Sequence, residues 1–404
     1  PIKREGLGEP DVPASHPPRR AGGMPHVADF HNARQRQINQ DLAVHEVYEV
    51  STSKSSDASS SVPGMPSKQA VEAYTRKLNN PGEIMIHGVL LVVDEKGFGI
   101  KCVSDNAKSF FLRDPKSMLG QPMLDMFEER ARIESALVME DLSLANPITC
   151  SIKPPDGSKL PGKVNLIVSR NEDGLLIDVE QLPPHENTFA AHQRVRVAID
   201  RLHATDNVHA MTQQVVEEVA STTGYDRVMM YKFHEDHHGE VVSEFVNDNI
   251  KDESWLGLHY PATDIPQRSR DQFKALHVRL IQDCTVPDSP IIMETGSASD
   301  MVAMTMSTLR PAHQCHKEYL VNMGVKATIG VAIIVKDQLW GLMIGHHMCP
   351  RFCSYQMRMA CEFLSQAFAM SLTNLLDKAA HARHERSLQL HSKLCDIMYK
   401  QGQN

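Results

Sequence analysis

Two pairs of strand patterns in the second half of the chain are held apart by a segment too long and too irregular for an ordinary loop. Residues 227–233 and 241–246 form the first pair. Residues 328–335 and 339–344 form the second, turning at Lys336-Asp337-Gln338. Between them run residues 248–308, weakly periodic throughout. A compact domain that closes one sheet around such an insertion usually keeps it for function.

Around this core the chain divides readily. Pro, Gly, Arg and His dominate the first 26 residues and a serine run fills 51–61, so 1–68 reads as a disordered polar extension. One helix is expected over 68–78, punctuated by Pro81-Gly82. From Glu83 to about Leu182, strand patterns at 89–94, 97–103 and 175–179 surround a little helix, predicting an antiparallel sheet with helices on one side. Pro183-Pro184 marks a boundary. The second domain starts near Phe189 with helical spacing over 195–202 and 211–221, and residues 354–400 form a long helix, increasingly polar toward its end. The fold class is α+β, with antiparallel sheets flanked by helices.

Composition narrows the function classes. The 404 residues are 41% hydrophobic and 23% charged, enough for two or three domains with cores of their own. A net charge of −8 argues against nucleic acid or an anionic membrane surface as partner. Eight cysteines in no regular framework suit reduced thiols inside a cell. No apolar run approaches the roughly 20 residues of a membrane helix, and there is no signal-peptide core. The expectation is a soluble, cytoplasmic chain, and its start at Pro1 reads as a fragment.

The chemistry concentrates in Arg310-Pro311-Ala312-His313-Gln314-Cys315-His316. A lone cysteine is usually a small buried hydrophobe. Here Arg310 and the flanking His313 and His316 supply positive potential, which raises the thiolate fraction and suits capture of an electrophile. A cysteine protease is the competing reading, but no local protease signature is present, and neighbours on a helix do not face each other. A second run, 346–353, offers two histidines and two cysteines, at a spacing that fits no common zinc finger, so no metal site is assigned.

Taken with Tyr260-Pro261-Ala262-Thr263-Asp264-Ile265-Pro266 and His346-His347, this stretch resembles the bilin pocket of phytochromes, the red/far-red photoreceptors. The resemblance runs from about Ala70 to about Leu376. It implies a PAS domain followed by a GAF domain, and a linear tetrapyrrole joined by a thioether to Cys315. Arg279 and Arg310 would hold its propionates, with Thr328 beside the second. Asp264, Ile265 and Pro266 would cross the pyrrole rings, His316 would stack beneath them, and His346 would bond the D-ring carbonyl. Tyr231, Tyr260 and Tyr319 would line the space around ring D, with His313 nearby. Two residues depart from the family's pattern: Trp255, where many relatives carry tyrosine, and Gly330, where some carry a hydroxyl.

Met85-Ile86 replaces the usual Gln-Pro before His87-Gly88 at the entry of the PAS domain. No cysteine precedes Cys102, which favours phycocyanobilin or phytochromobilin over biliverdin. The resemblance also implies a figure-of-eight knot, with residues 70–79 threaded through the insertion. The expected domains are 1–68 extension, 69–185 PAS with the knot segment, 186–376 GAF, and 377–404 a helix connecting to a phytochrome-specific domain. No enzyme activity is expected beyond self-attachment of the bilin, with any kinase-like output module beyond Asn404. A homodimer through the last helix and nuclear entry after illumination complete the expectations. Two alternatives stay open: a GAF domain binding a cyclic nucleotide, and a colourless dimerisation module.

Overall fold

A computed structural model of the chain describes residues 79–155, 162–183, 188–248, 250, 254–293 and 302–401. The expected extension 1–68, the helix over 68–78, and the knot segment apart from Asn79 lie outside the described residues.

The first domain contains β1 (Glu83–Ile84), β2 (Gly88–Val93), β3 (Ile100–Ser104), β4 (Ile148–Cys150), β5 (Val164–Asn171) and β6 (Gly174–Gln181), with short helices α1 (Ala107–Phe111), α2 (Pro115–Met118) and α3 (Arg130–Leu137). Strand β2 is apolar at every position after its glycine because both of its faces are covered. Val89, Leu91 and Val93 pack with Phe111, Met118 and Ile133 of the helices. Leu90 and Val92 pack with Val302, Met304 and Leu309 of the second domain.

The second domain follows with α4 (Thr188–His203), α5 (Val208–Thr223), β7 (Arg227–Phe233), β8 (Gly239–Val246), β9 (His259–Tyr260), α6 (Gln267–Ala275), β10 (Val278–Ile281), β11 (Ser289–Met293), α7 (Gln314–Asn322), β12 (Ala327–Val335), β13 (Gln338–His347) and α8 (Tyr355–Gln401). Its antiparallel sheet runs β10-β12-β13-β7-β8-β9. The turn between β12 and β13 needs positive φ at both Lys336 (50°) and Asp337 (62°), as a two-residue hairpin turn does.

The insertion is more ordered than its weak periodicity predicts. It supplies β9, α6 and β10, and then β11, which leaves its own sheet and pairs with β3 and β1 in the first domain. The first sheet is therefore β1-β11-β3-β2-β6-β5-β4, joined across the two domains by backbone hydrogen bonds. These elements are short, and the partners of β11 lie far away in sequence, so no local pattern reveals them. Asn79, the last residue of the expected knot segment, accepts from Met304 N (2.9 Å) through its carbonyl and from Gln272 Nε2 (3.2 Å) through its side chain.

Candidate ligand-binding pocket

Alternation along the second sheet separates a core face from a cavity face. Val228 and Met230, Val278 and Leu280, Ile329 and Val331, and Met343 point toward α4, α5 and α8. Their neighbours Met229 and Tyr231, Arg279 and Ile281, Thr328 and Gly330, and Leu342, Ile344 and His346 line a cavity of about 270 Å³ on the other side, near the lower end of the ~300–1,000 Å³ typical of ligand pockets. Helix α7 closes one wall with His316, Tyr319, Leu320 and Met323, the one-face spacing of a helix. The loop through Asp264, Ile265 and Pro266, then Ser269, Gln272 and Phe273 of α6, closes another.

The twelve residues singled out around Cys315 all line this one cavity: Tyr231, Tyr260, Asp264, Ile265, Pro266, Arg279, Arg310, His313, His316, Tyr319, Thr328 and His346. Cys315 lies in α7 beside His316, and its side chain lies outside those described. Trp255 and Gly330 line the cavity too.

Sequence reasoning missed the residues that hold these groups in place. Buried Arg270 binds the loop from behind, donating to Ile265 O (2.8 Å), Ala262 O (2.7 Å) and His237 O (3.0 Å). Its guanidinium also lies 4.7 Å over the Phe233 ring. Arg227 pairs with Glu244 at 2.5 Å and sits 4.2 Å over Trp255, whose backbone N donates to the same carboxylate. Trp255 in turn meets His346 edge-on at 5.7 Å. Tyr231 packs over Gly239, where any side chain would collide with its ring. Only the arginines' abundance in this region hints at such roles: Glu244 stands 17 residues from Arg227, and the partners of Arg270 are backbone carbonyls.

The electrostatics are one-sided. Arg279 donates to Arg310 O at 2.9 Å, but its Nη1 is buried with no partner among the described residues. His346 Nδ1 is buried and equally unmet. Burial, with Arg279 and Arg268 nearby, pushes Arg310 down to about 8, and burial pushes Arg279 down to about 10, so both stay cationic at neutral pH. Asp264 is the one carboxylate on the cavity wall.

One expectation is corrected here. His316 was expected to add positive potential beside Cys315. Its depth, and then Arg279, push its pKa down to about 4. The residue is nonetheless exposed by surface area, which weakens the effect of burial, and the downward direction leaves it mainly neutral at pH 7. Burial, then Arg227, pushes His346 down to about 3. The positive field at α7 therefore comes from the arginines.

The run 346–353 does not gather as a metal site among the described residues: His346 faces the cavity, while His347 Nδ1 lies 3.5 Å from Asp226.

Known proteins share this arrangement. The GAF domain family matches residues 207–375 and the PAS fold family residues 73–182. Phytochrome 2 of Ceratodon purpureus is 35% identical over 410 residues, covering 92% of this chain and 36% of the relative. Phytochrome B of Arabidopsis thaliana is 34% identical over 412 residues, covering 90% and 34%. The chain thus spans about a third of the length of the curated relatives it matches. The chromophore-binding domain of an unusual bacteriophytochrome from R. palustris superposes with TM-score 0.67 at 31% identity, covering 74% of this chain and 98% of that one. The phytochrome photosensory core module of Stigmatella aurantiaca gives TM-score 0.72 at 25% identity, covering 84% and 65%. With PAS and GAF domains joined in one sheet and the cavity set in the GAF domain, the chain belongs to the phytochrome family.

Proposed function

We propose that this chain is a light-sensing fragment that holds one linear tetrapyrrole, covalently at Cys315, and switches between red- and far-red-absorbing forms. One observation carries the reading: a largely apolar cavity in which arginine and histidine donors outnumber the acceptors. That donor set fits a flat hydrophobic molecule carrying two carboxylates and a ring carbonyl. The guanidinium forks of Arg279 and Arg310 match carboxylates bidentately, with the Thr328 hydroxyl beside them. His346 Nδ1, opposite Thr328 in the β12–β13 ladder, is available to a further polar group.

Cys315 is the thiol best placed for attachment, since it stands in α7 next to His316, which lines the cavity. Cys102 and Cys150 are buried, and burial pushes their thiols up to about 11 and 12. Exposed Cys349 and Cys395 do not line the cavity. With no cysteine before Cys102, phycocyanobilin or phytochromobilin fits better than biliverdin, and attachment would be autocatalytic. Bound bilin would supply photoisomerisation of one double bond and rotation of ring D. Tyr231, Tyr260 and His346 would sense that rotation, and α8, rooted in the same domain's core through Leu364, Phe368 and Leu372, would carry it outward.

Helix α8 exposes Leu388, Leu390, Leu394 and Ile397, the surface on which a homodimer would form. No described helix is long and apolar enough to cross a membrane; a cytoplasmic site with nuclear entry on illumination remains part of the proposal. The domain divisions at 68, 185 and 376 remain part of the same proposal.

The test is incubation with phycocyanobilin, a denaturing gel read by zinc-induced fluorescence, and a difference spectrum after red light. The expected result is a fluorescent band and reversible red/far-red change in the parent, with no band in Cys315→Ala. A band persisting in Cys315→Ala would move the attachment elsewhere. No visible absorption in the parent would return the chain to the cyclic-nucleotide or colourless-module readings.

A further inference from the structure

Outside the cavity, three histidines meet at the end of the second sheet. His234 follows β7, His238 precedes β8, and His259 opens β9. The β8–β9 register sets Glu240 opposite His259 and Gly239 opposite Tyr260, bringing the third histidine onto the β7–β8 turn. That turn is closed by His234 N to His238 O and His237 N to His234 O, both 2.9 Å.

One ring nitrogen from each histidine lies within 4.8 Å of the other two. His238 Nε2 and His259 Nδ1 are 3.1 Å apart, and the rings of His234 and His238 stack with centroids 4.2 Å apart. Zinc bound tetrahedrally at ~2.0–2.1 Å from each nitrogen sets its ligands roughly 3.3–3.4 Å apart, so binding would turn the stacked His234 and His238 rings out of parallel to aim both nitrogens at one ion. Two of the three remaining nitrogens are oriented by carboxylates. Asp236 Oδ1 lies 2.5 Å from His238 Nδ1, and Glu240 Oε2 lies 2.8 Å from His234 Nε2. A carboxylate behind a histidine fixes its tautomer and raises its basicity toward a metal. All-imidazole donors select a borderline cation over magnesium or calcium.

We infer that His234, His238 and His259 bind a divalent cation of the zinc class, with water in the fourth position. The cation would tie the β7–β8 turn to β9. That strand leads directly into Tyr260 and the loop clamped by Arg270, so the site would stiffen the cavity wall from outside. It does not depend on what the cavity holds.

The bilin-free full chain, stripped with chelator, is titrated with zinc chloride by calorimetry; bilin is omitted because linear tetrapyrroles also complex zinc. The expected result is one equivalent bound by the parent, with affinity more than about a hundredfold weaker in His238→Gln and His259→Gln and about tenfold weaker in Asp236→Asn, the effect of losing an orienting carboxylate. Cobalt(II) should give a visible d–d spectrum without a thiolate charge-transfer band, separating this site from Cys349 and Cys395. His259 is exposed, so its variant keeps the fold, checked by circular dichroism, and decides the question if His238→Gln does not. Unchanged affinity and stoichiometry in His259→Gln, a thiolate band with cobalt, or no zinc binding by the parent overturns the site and leaves only a hydrogen-bonded histidine cluster.

Discussion

The protein buries two groups of charges, one at the junction between its domains and one around the cavity, and they differ in completeness. At the junction, Arg358 Nη2 meets both oxygens of Glu180 at 2.8 Å, and its Nη1 reaches Cys353 O at 2.9 Å. Thr308 Oγ1 lies 3.0 Å from Glu180 as well as 2.8 Å from Asp178, so its single proton serves one of the two carboxylates at a time. Asp178 accepts from Ser307 Oγ (2.8 Å), Thr308 N (2.6 Å) and Thr308 Oγ1 (2.8 Å). Burial pushes Glu180 up, but Arg358 and His87 outweigh it and hold it below its ordinary value. Apart from His87 Nε2, which lies 4.0 Å from Glu180 and makes no hydrogen bond among the described residues, the junction closes on itself. Around the cavity, Arg279 Nη1 and His346 Nδ1 have no partner among the described residues. Buried charge that is fully partnered fixes the domains together, whereas donors left unmet beside an apolar cavity anticipate something to fill it.

The comparison breaks or sharpens most strongly at Glu180. Glu180→Gln leaves Arg358 buried without its carboxylate, which should cost about 3–5 kcal/mol, read as a lowered midpoint in chemical denaturation of the bilin-free chain. A loss below about 1 kcal/mol would mean that solvent or another group replaces the carboxylate, and that the junction is not the closed cluster described.

Acid should test one histidine from each group. Burial pushes His87 at the junction down to about 4 and His346 at the cavity down to about 3. Both folded values lie below the unfolded one, so the unfolded chain binds more protons between pH 6.5 and 4. Stability is therefore lost as pH falls through that window. Each histidine should contribute about 2 kcal/mol of loss between pH 7 and 5. Asp178 works the other way: burial raises it to about 6, so the folded state binds more protons below that pH and offsets about 1 kcal/mol. His346→Asn should flatten the acid limb by about 2 kcal/mol without touching the contribution of His87. An unaltered limb would show that His346 is not held neutral.

Arg279→Met carries the opposite sign from Glu180→Gln. Removing a cavity donor whose charge lacks a paired carboxylate should leave the bilin-free chain within about 1 kcal/mol of the parent, or raise its stability, because replacing an imperfectly compensated buried charge by an apolar group is often neutral or favourable. Bilin loading, read by absorbance, should fall sharply. A stability loss matching that of Glu180→Gln would erase the distinction between the two groups.

These differences track what the sequence made legible. The cavity residues stood in short runs, Tyr260 to Pro266 and Arg310 to His316, whose spacing carries the family resemblance, and period-two alternation places Thr328 and His346 on the same face. The junction was not readable, because Glu180, Thr308 and Arg358 come from three distant segments and only β11 and the chain after it bring them together. Arg270 was invisible for another reason: its partners are backbone carbonyls, which leave no trace in residue types.

The smallest effect concerns Gly330, directly opposite Arg279 in the β10–β12 ladder. A Cβ there would stand 2.9 Å from Phe273 Cζ and 3.1 Å from its Cε1. The obstacle is the end of a ring on α6 that itself borders the cavity, so it can yield by a few tenths of an ångström. A strand glycine is worth about 0.5–1 kcal/mol less than a residue with a side chain, and this gain roughly cancels the cost of moving Phe273. Gly330→Ser should therefore change bilin-free stability by no more than about 0.5 kcal/mol. Its hydroxyl would join Thr328 and Arg279 as a third donor to the same carboxylate, worth about 1 kcal/mol, or roughly fivefold in affinity. Fluorescence titration with phycocyanobilin in a Cys315→Ala background, where binding is reversible, measures that gain. Weaker binding there, with stability unchanged, would mean that Phe273 cannot move without narrowing the cavity, and that the glycine is kept for shape rather than left as a missing donor.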